Sequence, residues 1–366
     1  MNYFLIAGEA SGDMHAANLI HALREQDPQT HFVGLGGDKM RDAGCHLLQD
    51  YRKMAYMGVI AVLKNLRQVR ANFRIAEQGL LDERPDALIL IDYPSFNLKI
   101  AQFCRQHLPA TKIIYYIPPK VWAWKTHRVH RIARLSDAVL GIFPFEPAFY
   151  AQYGYHCTYV GNPTMAALRN CAAASSTSGA IALLPGSRRS EIAHCLPTML
   201  RAAQKVAQTY QASIVVTAAP GIEDEFYRAF MDKDCVLTRD TYEVLQTARA
   251  AVVNSGTATL ETAIIGCPQT AVYHIACSKW LGWLKPFIFK IPHFTLVNII
   301  PGKEVIRELI AYDFSERKIV EELTRLMTDE PYRQQMLRDY AEIRTILGDH
   351  PTAQTAAQHI IQTLQS

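Results

Sequence analysis

The feature that most constrains this chain is an alternation, made twice, of short β-rich apolar runs with amphipathic helical stretches. In the first half the runs fall at residues 3–7, 32–35, 87–91, 112–117, 138–141 and 158–160, with amphipathic stretches such as 14–25 and 96–107 between them. A low-complexity run, Ala172-Ala-Ala-Ser-Ser-Thr-Ser-Gly179, then interrupts the pattern. It cannot build a core, so it reads as a hinge between domains or a loop beside one. The alternation restarts at 181–184, 213–217, 235–237, 250–253 and 269–272, and from residue 314 onward it is helical only. Alternation of this kind predicts the α/β class, with parallel sheets covered by helices on both faces. A chain of 366 residues is also long for one core. The expected domains are therefore 1–170 and 180–345, followed by a C-terminal helix within 346–366. Two such halves around a hinge would put a ligand in a cleft, facing the carboxyl ends of both sheets.

Composition narrows the partners. With 49% apolar and 20% charged residues the chain is ordinary globular protein rather than disordered. A net charge of +4 is too weak to argue for nucleic acid, but it suits a phosphorylated substrate or an anionic membrane surface. The eight cysteines include no C-x-x-C pair, which argues against metal ligation and a disulfide framework and favours a reducing cytoplasm. The N-terminal apolar run meets Glu9 and Asp13 too soon for a signal peptide, and no stretch of eighteen apolar residues exists to span a membrane.

Three segments of the first half carry chemistry. The first strand runs into Gly8-Glu-Ala-Ser-Gly-Asp13, where a glycine turn and a helix start could admit an anion. The G-x-x-x-G spacing is not a dinucleotide fingerprint. The same residues equally suit a tight turn with Ser11 or Asp13 as N-cap. The strand at 87–91 ends in Asp92-Tyr-Pro-Ser-Phe-Asn97, which sets an acid at the carboxyl end of a buried strand, where it could serve as a general base. An Asx-turn or an N-cap for the helix near Phe96 would use the same acid. Then Tyr116-Ile-Pro-Pro-Lys-Val-Trp-Ala-Trp-Lys125 packs two tryptophans, two prolines and two lysines into one loop. Trp122 and Trp124 suit the wall of a sugar or acyl site, or else the floor of the core.

The second half gives the sharper signals. Leu184-Pro-Gly-Ser-Arg-Arg-Ser-Glu191 is a glycine turn with two arginines at a helix start, and Arg188 could neutralise a leaving diphosphate. In Val253-Asn-Ser-Gly-Thr-Ala-Thr-Leu-Glu261 the backbone near Gly256–Ala258 could cradle phosphate, with Glu261 accepting ribose hydroxyls or simply satisfying the helix dipole. Two segments could face lipid: residues 54–73, basic and amphipathic with Lys64, Arg67 and Arg70, and the apolar 280–300, broken by Pro286 and Pro292. Burial against the protein's own core accounts for either, and is the better account of the second.

Together these motifs resemble the lipid-A-disaccharide synthase family. To the turns at Gly8, Asp92, Trp122, Arg188 and Ser255–Glu261 the resemblance adds Met57-Gly58-Val59, Phe143-Pro-Phe-Glu146 and Leu296-Val-Asn-Ile-Ile300, in the family's order from Gly8 to about Glu308. It implies a GT-B fold, two Rossmann-like doubly wound parallel-sheet domains facing each other across a cleft, with no metal or other cofactor. It implies inverting transfer from UDP-2,3-diacylglucosamine to 2,3-diacylglucosamine 1-phosphate, at the cytoplasmic face of the inner membrane, by a peripheral enzyme. On the matching positions, Asp92 is the expected base and Arg188 the essential arginine. Gly186, Ser187, Ser255, Gly256, Thr257, Ala258, Glu261 and Asn298 are the expected nucleotide-sugar residues. Gly8, Glu9, Ser11, Met57, Val59, Leu63, Trp122 and Trp124 are the expected acceptor- or lipid-facing ones. Many members carry alanine and aspartate where this chain has Tyr93 and Ser95, which leaves Asp92 the only acid of its motif. Members can dimerise by exchanging C-terminal segments, so residues beyond about Asp349 pack either on the chain's own other half or on the partner of a homodimer. Another GT-B enzyme of UDP-N-acetylglucosamine, an epimerase or a lipid-linked transferase, is disfavoured by the Trp122–Trp124 loop and the Asp92 motif. A non-catalytic nucleotide-sugar-binding protein would have to dispense with Asp92 and Arg188.

Overall fold

The first and fourth strands read Asn-Tyr-Phe-Leu-Ile-Ala and Ala-Leu-Ile-Leu-Ile, almost wholly apolar, as a strand buried on both faces must be. They are the centre of a parallel sheet. In the computed structural model, which describes residues 1–54, 66–123, 126–168, 171, 179–274 and 293–365, the chain divides into two compact units. One comprises Met1–Ala166 with His350–Ser366, the other Ala167–Asp349.

The sheet of the first unit has seven strands: β1 (Asn2–Ala7), β2 (His31–Gly36), β3 (His46–Asp50), β4 (Ala87–Ile91), β5 (Lys112–Tyr116), β6 (Ala138–Gly141) and β7 (Thr158–Tyr159). Their order is β3-β2-β1-β4-β5-β6-β7, every pairing parallel. Side chains alternate between two cores. Leu5, Ile89, Ile91 and Ile114 face one side with Leu19, Ile20 and Leu23 of the Ala10–Gln26 helix. Phe4, Ile6, Leu88 and Leu90 face the other with Ala76 and Leu80 of the Leu66–Glu83 helix. The last helix, Thr352–Gln365, sets Ala356, Ala357 and Ile360 into the first of these cores and packs on the Ala10–Gln26 helix of the same chain.

The second unit repeats the plan with β8 (Ile181–Leu184), β9 (Ile214–Thr217), β10 (Cys235–Thr238), β11 (Ala250–Asn254), β12 (Gln269–Tyr273) and β13 (Glu308–Ile310). The order β10-β9-β8-β11-β12-β13 is again all parallel. In each unit the chain winds outward from one central strand in one direction and then in the other. The loops leaving β1 and β4, and those leaving β8 and β11, therefore part company and open a crevice at the carboxyl ends. All the turns singled out above, save the one at Trp122, leave these four strands.

The sequence pattern misses the edge strands β3 and β13. β3 is half-buried with mixed polarity, and β13 has three residues, so neither shows a clean apolar run. The first helix begins at Ala10 with Glu9 as N-cap, not at Ser11 or Asp13. Asp13 is buried one turn inside it and accepts hydrogen bonds from the backbone N–H groups of Gly37 (2.7 Å), Lys39 (3.1 Å) and Met40 (3.1 Å). Its charge thus caps the neighbouring helix Asp38–Asp42. Residues 172–178 of the proposed hinge, 55–65 of the basic amphipathic stretch and 280–292 of the second apolar stretch lie outside the described residues. Of the basic stretch, Arg67 and Arg70 are exposed on the Leu66–Glu83 helix while Phe73 turns toward the core. Among the described residues no helix is long and apolar enough to cross a membrane.

Candidate active site

At the β1/β4 crevice the backbone is held in costly conformations. Asp92 and Tyr93 have φ of +42° and +44°, and Ile117, just after β5, has +57°. Each costs on the order of 1–3 kcal/mol and persists only if its surroundings fix it. They are fixed here. Asp92 N–H donates to the Ile117 carbonyl (3.1 Å), and the Asp92 carbonyl accepts from Tyr115 Oη (2.7 Å) and Asn97 Nδ2 (2.8 Å). Tyr93 Oη donates to the Met54 carbonyl (2.7 Å). The Pro94–His107 helix is N-capped by Tyr93 without a side-chain bond, so the Asp92 carboxylate is not spent as a helix cap.

Tyr93 also explains Gly8. A Cβ on Gly8 would stand 2.2 Å from Cγ of Tyr93, the rigid root of a ring already tied to Met54. Gly8→Ala should therefore lower the urea midpoint by an amount worth about 1–3 kcal/mol. In a Tyr93→Ala background the same change should cost markedly less. Equal costs in both backgrounds would mean that the ring is not what excludes the methyl.

Asp92 is half-buried, and burial pushes its carboxyl up to about 6, with Glu9 adding to the rise and Lys120 and the Tyr93 backbone N–H opposing it. A carboxylate with such a pKa, at a switch point, is suited to accept a proton near neutral pH. Glu9 accepts from Ser11 Oγ (2.9 Å), which keeps both at the rim of the Gly8 turn. Trp122 is buried, edge-on to Phe143 (5.9 Å) and Phe145 (5.0 Å), and donates from Nε1 to Glu146 Oε1 (3.3 Å). It therefore builds the floor of this loop rather than an open aromatic wall. Met57, Val59, Leu63 and Trp124 lie outside the described residues. Glu146, Lys120 and Tyr93 enter the sequence reading only as members of their motifs. Each acquires its meaning from a neighbour distant in sequence.

In the second unit the two phosphate-type turns prove unlike. Leu184 of β8 pairs with Val253 of β11, so the turns after these strands are neighbours. Gly186 sits at φ +117°, where a Cβ would meet Asn254 Nδ2 at 2.7 Å and Glu191 Oε2 at 2.8 Å. At the start of the Arg189–Tyr210 helix, Glu191 Oε2 accepts the N–H groups of Ser187 (3.1 Å) and Arg188 (3.3 Å). Its Oε1 accepts from the exposed Arg188 guanidinium (2.9 Å). That helix start already holds a carboxylate of its own. Among the described residues the Thr257–Ile265 helix has no such plug: Gly256 is its N-cap, without a side-chain cap, and no described atom lies within 4 Å of where a Cβ on Gly256 would stand. Ser255 N–H is committed to the Val272 carbonyl (2.8 Å), which leaves the backbone of Gly256, Thr257 and Ala258 to meet an anion. Glu261 is half-buried one turn along, its carboxyl raised by desolvation.

Asn298 is placed differently from the expectation. It is fully buried, donates to the Ile306 carbonyl (2.9 Å) and Glu308 Oε1 (3.0 Å), and accepts from Val305 (2.8 Å) and Ile306 (3.0 Å). Its amide is spent on building this turn, not on reaching a ligand. Each unit is thus described with its own half of the candidate chemistry, an acid in the first and an anion cradle in the second.

Solved structures of about 11–13% identity share the fold. A UDP-N-acetylglucosamine 2-epimerase from Listeria monocytogenes, itself described as putative, has a TM-score of 0.64 at 11% identity, covering 100% of this chain and 96% of that one. The calicheamicin glycosyltransferase CalG4 has 0.61 at 13%, covering 100% and 98%. With two Rossmann-like units of seven and six parallel strands, the protein is a GT-B enzyme of the glycosyltransferase class. Residues 3–360 match the family described as lipid-A-disaccharide synthetase. The lipid-A-disaccharide synthase of Trichlorobacter lovleyi is 37% identical over 359 residues, 94% of this chain and 92% of that protein. That of Geobacter sulfurreducens is 34% identical over 374 residues, 98% and 96% respectively. The chain belongs to the lipid-A-disaccharide synthase family.

Proposed function

We propose that this enzyme transfers 2,3-diacylglucosamine from UDP-2,3-diacylglucosamine to the 6-hydroxyl of 2,3-diacylglucosamine 1-phosphate, with inversion. The acceptor O6 forms a bond to the donor C1, its proton passes to Asp92, and the C1–O bond breaks with its electron pair leaving on UDP. The product is the β-1,6 disaccharide 1-phosphate. The observation that carries this reading, beyond the family, is Asp92 itself: a strained, half-buried carboxylate at the carboxyl end of β4, uncommitted to helix capping. The open helix start at Gly256–Ala258 takes the diphosphate, Glu261 the ribose, and Arg188 leaves Glu191 for the developing charge on UDP. Asn298 contributes through the turn it holds. Charge neutralisation by Arg188 and the helix start assigns no step to a metal ion.

Purified protein given both substrates, with and without a chelator, tests this directly. UDP and disaccharide formed at equal rates in both conditions support the proposal. A rate abolished by chelator would overturn the metal-free scheme, and UDP-sugar binding without disaccharide would overturn the reaction. Both substrates carry acyl chains, and we place the enzyme peripherally on the cytoplasmic face of the inner membrane through the Arg67 and Arg70 surface. Changing both arginines to glutamate should reduce co-sedimentation with anionic vesicles severalfold. Unchanged sedimentation would remove that surface from the proposal.

A further inference from the structure

The helix that starts at Gly256 has a polar underside. Thr259 and Thr262 on the helix, and Gln269 at the start of β12, are all fully buried. Such side chains are costly in a core unless their hydrogen bonds are made. Here the bonds go to the backbone of the helix's first turn. Thr259 Oγ1 donates to the Gly256 carbonyl (2.8 Å), which also accepts the Thr259 N–H (3.3 Å). Thr262 Oγ1 donates to the Ala258 carbonyl (2.7 Å). Gln269 Nε2 reaches across from β12 to the Thr259 carbonyl (2.8 Å), and also approaches Tyr340 Oη of the Glu330–Leu347 helix (3.4 Å).

These bonds decide where the N–H groups of the turn point. A peptide unit is planar and trans, so its carbonyl and the N–H of the next residue point in opposite directions and turn together. The Gly256 carbonyl and the Thr257 N–H share one such unit. Drawing the carbonyl toward the buried Thr259 hydroxyl therefore turns the Thr257 N–H the other way, out of the helix start. Gly256 restrains that plane least of all residue types, so the restraint has to come from elsewhere. On the other side the Ser255 N–H is tied to the Val272 carbonyl (2.8 Å), which brackets the turn. The Gln269 amide is not there for stability alone. Its Oε1 is buried with no hydrogen-bond partner among the described residues, and an apolar side chain of the same length would avoid that cost.

Resting on the reading of Gly256–Ala258 as the diphosphate cradle, we propose that Thr259 is a positioning residue for the donor. Its hydroxyl sets the peptide plane that aims the Thr257 N–H at the diphosphate, and Gln269 braces it from β12. A donor group already aimed loses little freedom when the ligand arrives, so affinity rises without any new contact.

The test compares Thr259→Val, Thr259→Ser and Gln269→Met with the unmodified enzyme, reading UDP affinity by calorimetry, KM for each substrate, kcat and the thermal midpoint. Valine keeps the shape of the side chain and removes the hydroxyl, whereas serine keeps the hydroxyl and removes the methyl. Thr259→Val should weaken UDP binding and raise the donor KM by about three- to tenfold, with acceptor KM and thermal midpoint nearly unchanged. Thr259→Ser should bind UDP as the unmodified enzyme does. Gln269→Met should weaken UDP by about two- to threefold without lowering the midpoint. Normal UDP affinity in Thr259→Val overturns the proposal. A loss shared equally by the serine variant overturns the role of the hydroxyl, and a Gln269→Met enzyme with a lower midpoint and normal affinity overturns the brace. Gly256→Asp separates this from the reading beneath it. The extended backbone at φ 174° admits the side chain, whose carboxylate would fill this helix start as Glu191 fills the other. If that variant binds UDP normally, the cradle reading itself fails. If it loses UDP while Thr259→Val binds normally, only the present inference fails.

Discussion

Asp92→Asn should leave the protein folded and able to bind UDP while kcat falls about 10²- to 10⁴-fold, the usual worth of a general base. Asparagine is the informative replacement for two reasons. It is isosteric, and it tolerates the left-handed conformation that position 92 requires at φ +42°, where alanine would add strain. The pH dependence has a defined sign. The base acts as carboxylate, and its carboxyl is raised to about 6, so kcat/KM should fall tenfold per unit below about pH 6 and level off above it. Stability runs the other way. Between 3.8, the ordinary value, and about 6 the folded state holds a proton that the unfolded state has released, so this group's contribution weakens as pH rises through that window. Asp92→Asn should therefore be slightly more stable than the unmodified enzyme at pH 7 while being nearly inactive. An acid limb near 4, or a stability gain at pH 3 rather than 7, would contradict the burial assigned to this carboxyl.

Arg188→Ala should cost about 10²- to 10³-fold in kcat, the scale seen when one preorganised donor to developing charge is removed. Its stability should barely change, because the pair with Glu191 is solvent-exposed on the arginine side and such pairs are worth about 0–1 kcal/mol. Arg188→Lys should recover little, since a lysine presents a point charge without the planar fork that grips two phosphate oxygens. The measurement is kcat and thermal midpoint together. A large drop in midpoint with proportionate loss of activity would mean that the arginine serves the turn, not the leaving group.

The central strands, the two-unit plan and the positions of Asp92, Arg188 and the Ser255–Glu261 turn are legible because each announces itself locally, by an apolar run that ends in small or charged residues. What local pattern cannot convey is who fills the space. Gly8 is required by a ring 85 positions away, and nothing near it in sequence says so. Two helix starts look alike as strings of Gly, Ser and Thr. Only the fold shows that Glu191 occupies one and leaves the other, at Gly256, open. Asp13 reads as a cap for its own helix and instead caps the next one, because the Gly37 turn is delivered to it by the pairing of β1 with β2. The resemblance makes Asn298 a nucleotide-sugar residue, yet its four bonds go to residues that a sequence cannot place around it. Glu146 enters the sequence reading only through the Phe143–Glu146 motif of the family resemblance. Its burial depends on Trp122 and on the strand turn after β6.

The first unit is not a continuous piece of chain, since Thr352–Gln365 supplies Ala356, Ala357 and Ile360 to the core beside Leu19 and Leu23. On the ribosome, residues up to Ala166 emerge before the last helix of their own unit and lack one wall of their core until the whole second unit has been made. The second unit, drawn from one unbroken segment, can complete itself before then. The unit that carries Asp92 is thus begun before the second unit and closed only after it, so its core depends on a helix that lies beyond the whole of its neighbour.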